Sequence, residues 1–126
     1  MVRVITENAP KAFGPFCQAT VANRMVYTSG IMPLNPTDGS LVPGGIREQT
    51  RQVLENLKSI LEAAGSSLHR VLQITIYLTN IEKFEEMNEV YSTFFEGLYP
   101  ARVTVGVSAL AKQAMIEMQA VALVND

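Results

Sequence analysis

Two charged residues late in the chain carry most of the chemistry the sequence offers. Arg102 follows Pro100 at the mouth of a β-prone run. A guanidinium is planar, permanently charged and forked to match a carboxylate, so it positions anions and does not transfer protons. The bland alternative is a surface arginine in a weak ion pair. Glu117 lies inside the otherwise apolar run 115–124. A carboxylate there is costly to bury unless paired, and burial would raise its pKa toward the range of a general acid or base. The bland alternative is a solvent-facing residue on an open sheet face. The loop 109–114 joins the two runs, so they are expected as neighbouring strands whose side chains share one cleft.

The other candidates are weaker. Ser29-Gly30 closes a β-prone run, and a glycine lets a ligand approach the backbone; an ordinary strand end explains it as well. The one cysteine, Cys17, excludes an intrachain disulfide and carries no sign of activation. The one histidine, His69, sits in a polar turn, so no catalytic triad is supported. No cluster of zinc ligands is visible, and Gly44-Gly45 lacks the Gly-Lys-Ser/Thr ending of a phosphate loop.

The elements that must hold these residues follow from periodicity. Runs 18–22 and 25–29 flank Asn23-Arg24, a hairpin pattern. Residues 33–45 are rich in Pro, Asp and Gly and read as an ordered loop. Ile46, Val53, Leu54, Leu57, Ile60, Leu61 and Ala64 fall on one helical face, closed by Gly65. In 71–78 the pattern alternates, with Leu72, Ile74, Ile76 and Leu78 on one face of a strand and Gln73, Thr75 and Tyr77 on the other. Thr79 to Glu82 has capping-box spacing. A second helix should bury Phe84, Met87, Tyr91, Phe94 or Phe95, and Leu98, ending at Tyr99-Pro100. Two strands, 103–107 and 115–124, close the chain. The expected fold is α+β: one domain over 1–126, with two helices covering one face of a sheet. The other face would mix Gln73, Thr75, Tyr77, Glu117 and Gln119 with Val121 and Leu123, which suits another subunit better than water.

Composition narrows the classes. The chain has 126 residues, of which 48 % are hydrophobic and 17 % charged, against roughly 25 % charged in an average domain. So few charges suit a chain that hides surface in an oligomer. The formal net charge is −2, with no Lys/Arg cluster, which weighs against nonspecific nucleic-acid binding and leaves a local basic cleft open. Neither a signal-like apolar start nor a membrane-length apolar run is visible, so the cytosol is the expected location, an organelle not being excluded.

Several stretches, read together, resemble the RidA/YjgF family. They are Ala9-Pro10, Gly14-Pro15-Phe16-Cys17-Gln18-Ala19, Thr28-Ser29-Gly30, Gln49-Thr50, Asn56-Leu57, Leu61-Glu62-Ala63-Ala64-Gly65, Phe84, Met87-Asn88, Tyr91, Phe94-Phe95, Pro100-Ala101-Arg102-Val103-Thr104 and Ile116-Glu117. The resemblance implies a chorismate mutase-like fold, one mixed sheet with two helices on one face. It also implies a homotrimer with clefts between subunits. The implied activity is hydrolysis of reactive 2-imino acids and their enamine tautomers to 2-keto acids and ammonia, with no cofactor or metal. Small 2-imino or 2-keto carboxylates and further copies of the chain are the implied partners. By resemblance Arg102 grips the substrate carboxylate and Glu117 positions the attacking water. Ser29, Gly30, Asn88 and Thr104 fall on other cleft positions. Phe16 stands where a tyrosine is usual, Ile31 where a glutamine is usual, Ala111 where a proline is usual, and Gln119 where a second glutamate is frequent. The implied cleft is therefore less polar than the common pattern. Some relatives are described as endoribonucleases that inhibit translation, which keeps RNA as a disfavoured alternative. A non-enzymatic trimeric carboxylate binder or chaperone is the third.

Overall fold

Alternation in the last strand builds the centre of the molecule. In the computed structural model, which describes Met1–Asp126, strand β6 (Ile116–Leu123) buries Ile116, Met118, Ala120 and Ala122 and turns Glu117, Gln119, Val121 and Leu123 to the opposite face. It pairs antiparallel with β3 (Met25–Thr28) on one side and β4 (Val71–Leu78) on the other. β4 pairs parallel with β5 (Ala101–Gly106). On the far side β3 forms a hairpin with β2 (Ala19–Ala22), which pairs with β1 (Val2–Val4). The result is one mixed six-stranded sheet in the order β1-β2-β3-β6-β4-β5.

Both helices lie on the side of the sheet that the core residues face. α1 (Ile46–Ala63) starts where the Glu48 carboxylate accepts a hydrogen bond from the Gly45 N–H. Its expected apolar stripe is buried from Ile46 to Leu61, and Gly65 closes it at φ +83°. Each fully buried Leu or Ile of that stripe contributes roughly 1.5–3 kcal/mol. α2 (Phe84–Ser92) crosses over between the parallel strands β4 and β5 and adds Met87, Val90 and Tyr91 to the buried set. The main core cluster joins these helices to β6 and β4, and Met32, Leu34 and Ala114 form a small second one. No helix is long and apolar enough to cross a membrane.

Several family-like residues turn out to serve the fold. The Gln18 side chain accepts from the Thr6 N–H and donates to the carbonyls of Thr6 and Pro10, fastening the N-terminal segment. Gln49 accepts from the Met115 N–H and so sets the entry to β6. Asn56, almost fully buried, donates to the carbonyls of Met32 and Leu34 and satisfies the loop crossing above it.

Local reasoning erred in places that tertiary contacts explain. β1 carries no local signal and exists because β2 offers it an edge. A bulge between Val71 and Gln73 takes Leu72 out of the expected buried face and leaves it exposed. Asn80, not Thr79, provides the cap, accepting from the Glu82 N–H, and it opens a short 3-10 turn (Ile81–Lys83) ahead of α2. α2 ends at Ser92, before a turn with Glu96 and Gly97 at positive φ. Phe95 is therefore buried while Leu98 is 75 % exposed, against the expectation of a buried Leu98.

The face of the sheet away from the helices is uncovered. It presents Tyr27, Val103 and Val105, all exposed, among Gln73, Thr75 and Gln119. A sheet face of this mixed kind is stable against water or against another polypeptide.

Candidate active site

Arg102 and Thr104 pair with Ile74 and Ile76 of β4, so both project to the helix side of the edge strand β5. Above them, Phe84, Asn88 and Tyr91 follow at helical spacing on one stripe of α2. The guanidinium carbon of Arg102 lies 4.8 Å from the centre of the Tyr91 ring and 5.3 Å from that of Phe84. Cation–π contacts of this kind stabilise by about 0.5–1 kcal/mol each when exposed and more when desolvated. Stacking occupies the face of the guanidinium and leaves its in-plane N–H groups for a ligand. No carboxylate of the chain forms a salt bridge with it.

The surroundings of Arg102 are short of hydrogen-bond partners. Asn88 Oδ1, Tyr91 Oη and Thr104 Oγ1 are all buried without one. Asn88, Tyr91, Ser92, Tyr99 and Pro100 line an open cleft of about 250 Å³ with Arg102. Burial pushes the Tyr91 phenol up to about 12, outweighing the opposing effects of the Arg102 charge and of its guanidinium N–H groups, which approach the hydroxyl without reaching hydrogen-bond geometry, so the phenol keeps its proton. Orphaned buried polar atoms are rare and costly, roughly 1–3 kcal/mol each, and these three, near a cation with no salt bridge, leave hydrogen-bonding capacity that a polar ligand could use.

Glu117 belongs to a second constellation. It pairs with Tyr77 and faces the open side of the sheet, half-buried, where desolvation raises its carboxyl above the usual range. Beside it the β3–β6 ladder is irregular. Tyr27 pairs with Val121 and Ile31 bridges to Met118, so residues 28–30 oppose only 119 and 120. Thr28 Oγ1 accepts from the Ala120 N–H and fills the gap. This bulge lays Gly30 against Glu117: a β-carbon there would lie 2.5 Å from Glu117 Oε2. The Ser29 hydroxyl donates to the Cys17 carbonyl at 2.6 Å, tying the bulge to the segment that carries Phe16. Phe16 is exposed and meets Phe13 edge to face. Ile31 turns its side chain into the core and gives this edge only its backbone, through reciprocal bonds with Met118.

The expectation that Arg102 and Glu117 share a cleft within one chain is not met. β4 lies between their strands, which places them two strand spacings, roughly 10 Å, apart across the sheet. The row of Glu117 runs through Tyr77 to Val105 on the open face, whereas the row of Arg102 runs through Ile74 to Ala120 on the helix face. The candidate residues thus divide in two: Arg102 and Asn88 line one cleft, with Thr104 two positions along β5, while Glu117 lies against the Gly30 bulge that Ser29 ties to the Phe16 segment. Sequence reasoning missed Tyr91 and Phe84 as parts of the first. Their spacing around Asn88 on one helical stripe was the available signal. No three His, Cys, Asp or Glu side chains lie close enough to hold a metal ion.

Comparison with known proteins adds an independent line. A family model described as endoribonuclease L-PSP matches residues 6–124. A RutC family protein of Pyrococcus horikoshii is 50 % identical over 119 residues, covering 94 % of each chain. The 2-iminobutanoate/2-iminopropanoate deaminase of Mus musculus is 41 % identical over 120 residues, 95 % of this chain and 89 % of its own. The crystal structure of E. coli TdcF with bound serine superposes with a TM-score of 0.94 at 36 % identity, covering 99 % of this chain and 100 % of that one.

Proposed function

The chain belongs to the endoribonuclease L-PSP family, the RidA/YjgF family of the sequence resemblance, and from that premise we propose that it hydrolyses reactive 2-imino acids to 2-keto acids and ammonia. The observation that carries the reading is Arg102: an unpaired guanidinium stacked on two rings, beside three orphaned polar atoms, in a cleft sized for a small molecule. A small carboxylate supplies the missing counter-charge and takes the guanidinium fork in a bidentate way. The naming of the mouse relative as an imine deaminase, and the serine bound to the E. coli relative, support the same ligand class.

The opposite placement of Arg102 and Glu117 shapes the mechanism. A working site takes Arg102, Asn88 and Thr104 from one copy and Glu117 with the Gly30 bulge from the next. Such a head-to-tail contact closes into a ring, and the homotrimer of the resemblance is that ring, with the uncovered sheet faces turned inward. Arg102 holds the carboxylate and thereby aims the adjacent C=N carbon. The neighbour's Glu117 accepts a proton from water as its oxygen bonds to that carbon. The proton then passes to the nitrogen of the carbinolamine. As the C–N bond breaks, the freed Glu117 carboxylate takes the remaining hydroxyl proton, the C=O bond forms, and ammonia leaves. The iminium is already an electrophile, so the sequence of steps calls for no redox partner and no electron sink. Burial that raises the Glu117 carboxyl suits the shuttle, because a base is most effective near the working pH.

The test couples the protein to a pyridoxal-phosphate threonine dehydratase and traps free imine with semicarbazide. Suppression of the semicarbazone by the wild type, and none by a folded Arg102→Ala variant, is the expected result. Full suppression by Arg102→Ala would remove the arginine from the mechanism. No suppression by the wild type, with keto-acid binding retained, would turn the protein into a carboxylate binder.

A further inference from the structure

We propose that Phe13, which sequence reasoning did not single out, selects the substrate: with Phe16 it forms an apolar wall, held by Lys112, that favours imino acids with a sizeable apolar side chain. The inference rests on the deaminase reading above and names its substrate class.

Phe13 and Phe16 are 47 % and 43 % exposed, yet their rings are not loose on the surface. They meet at 88° with centroids 5.4 Å apart, an edge-to-face pair. The outer ring is anchored from a distant part of the chain, since Lys112 Nζ lies 5.1 Å from the Phe13 centroid. Lys112 and Gln113 both adopt φ +61°, a left-handed conformation that side chains other than glycine seldom take. Two adjacent residues in that region are strained; the Ala114 N–H donates to the Ala111 carbonyl across the turn and closes it, with the lysine ammonium over the ring. That turn lies on the connection between β5 and β6, the strands of Arg102 and Glu117.

The wall reaches the reacting edge through Gly30. Phe13 and Phe16 line a narrow crevice together with Ser29 and Gly30, floored by the buried Ile31, Met32, Leu34 and Ile60; Glu117 does not line it and meets it through Gly30, on which its carboxylate packs. A 2-imino acid has three groups on its reacting carbon. Arg102 takes the carboxylate, and the nitrogen must stay open to the proton carried by Glu117. The remaining group, the side chain, meets whatever lines the Glu117 edge. Phenyl rings offer it contact and no hydrogen bond. They gain little from a methyl group and more from the branched or aromatic side chains of leucine- or phenylalanine-derived imines.

The experiment generates imino acids in place with an amino-acid oxidase from alanine, leucine and phenylalanine and reads kcat/KM by semicarbazone suppression. The wild type is expected to favour the leucine-derived imine over the alanine-derived one by about tenfold or more, and Phe13→Ala to remove about tenfold of that ratio. Lys112→Met, which keeps the stem and loses the charge, should remove about two- to fivefold, and Lys112→Arg should restore it. A second readout, calorimetric binding of pyruvate against the keto acid of leucine, gives the same preference without turnover. Turnover with a ratio unmoved in Phe13→Ala overturns the wall and leaves the deaminase standing. No turnover, with a binding preference that Phe13→Ala abolishes, overturns the deaminase and leaves the wall. Absence of both overturns both.

Discussion

The Glu117 carboxylate occupies the space that a side chain on Gly30 would need, with Oε2 2.5 Å from the position of the missing β-carbon. Gly30 has no positive φ, so alanine is conformationally allowed there, and the three atoms nearest its β-carbon all belong to Glu117. Gly30→Ala is expected to fold and assemble normally while displacing the carboxylate by about 1 Å or more, with a loss of imine turnover of about a hundredfold. Steady-state kinetics beside a thermal melt checks this. Full turnover in a well-folded Ala variant would detach Glu117 from the reaction.

The proposed division of the site between copies has a quantitative consequence. Arg102→Ala and Glu117→Ala should each be inactive alone. Co-expressed in equal amounts as a mixed ring, they should regain about a quarter of wild-type activity, because about a quarter of the sites then join an intact arginine to an intact glutamate. A site built within one chain would give no recovery from the mixture.

Tyr91 separates stability from binding. Its hydroxyl is buried without a hydrogen-bond partner and keeps its proton because burial lifts the phenol to about 12. Tyr91→Phe keeps the ring beneath Arg102 and removes the orphan, so stability should hold or rise by about 1 kcal/mol. Affinity for a small keto acid should fall, by about three- to tenfold for one lost neutral hydrogen bond. Denaturant unfolding and calorimetric titration measure the two effects. A variant that loses stability would mean the hydroxyl is satisfied in solution.

Burial raises the Glu117 carboxyl above the ordinary value of 4.5. In the proposed mechanism the carboxylate is the active form, so kcat/KM should fall as pH drops through that raised value, and Glu117→Gln should abolish this limb with the activity. The stability effect has the opposite sense. Between the unfolded and folded values the folded chain holds a proton that the unfolded chain has released, so Glu117 lowers stability as pH rises through that window. Glu117→Gln should therefore melt higher than the wild type at neutral pH and level with it below the unfolded pKa. A difference in melting temperature that does not change with pH would contradict the shift.

Much of the molecule was legible in the chain because it follows from local physics. The 3–4 spacing of Ile46 to Leu61 dictated α1, and alternation dictated β4 and β6 and the face on which Glu117 stands. The run of family-like stretches pointed to the family, and the types of Arg102 and Glu117 suggested the carboxylate binding and proton transfer that the proposed reaction assigns them. What the chain did not show depends on partners remote in sequence. Leu72 left its expected face because a bulge in β4 changes the side-chain phase, and no single-strand pattern records where a neighbouring strand slips. β1 exists only as an edge taken by Val2–Val4. The glycine of Ser29-Gly30 acquired its reason when β6 brought Glu117 against it, 87 residues along the chain (117 less 30). Arg102 and Glu117 looked like neighbours because one short loop joins their runs. The crossover of α2 instead inserted β5 beside β4, and strand order and pleat set the two residues on opposite faces. Residue types fix what chemistry is available; which groups meet is decided by pairing order and register, which are properties of the assembled sheet.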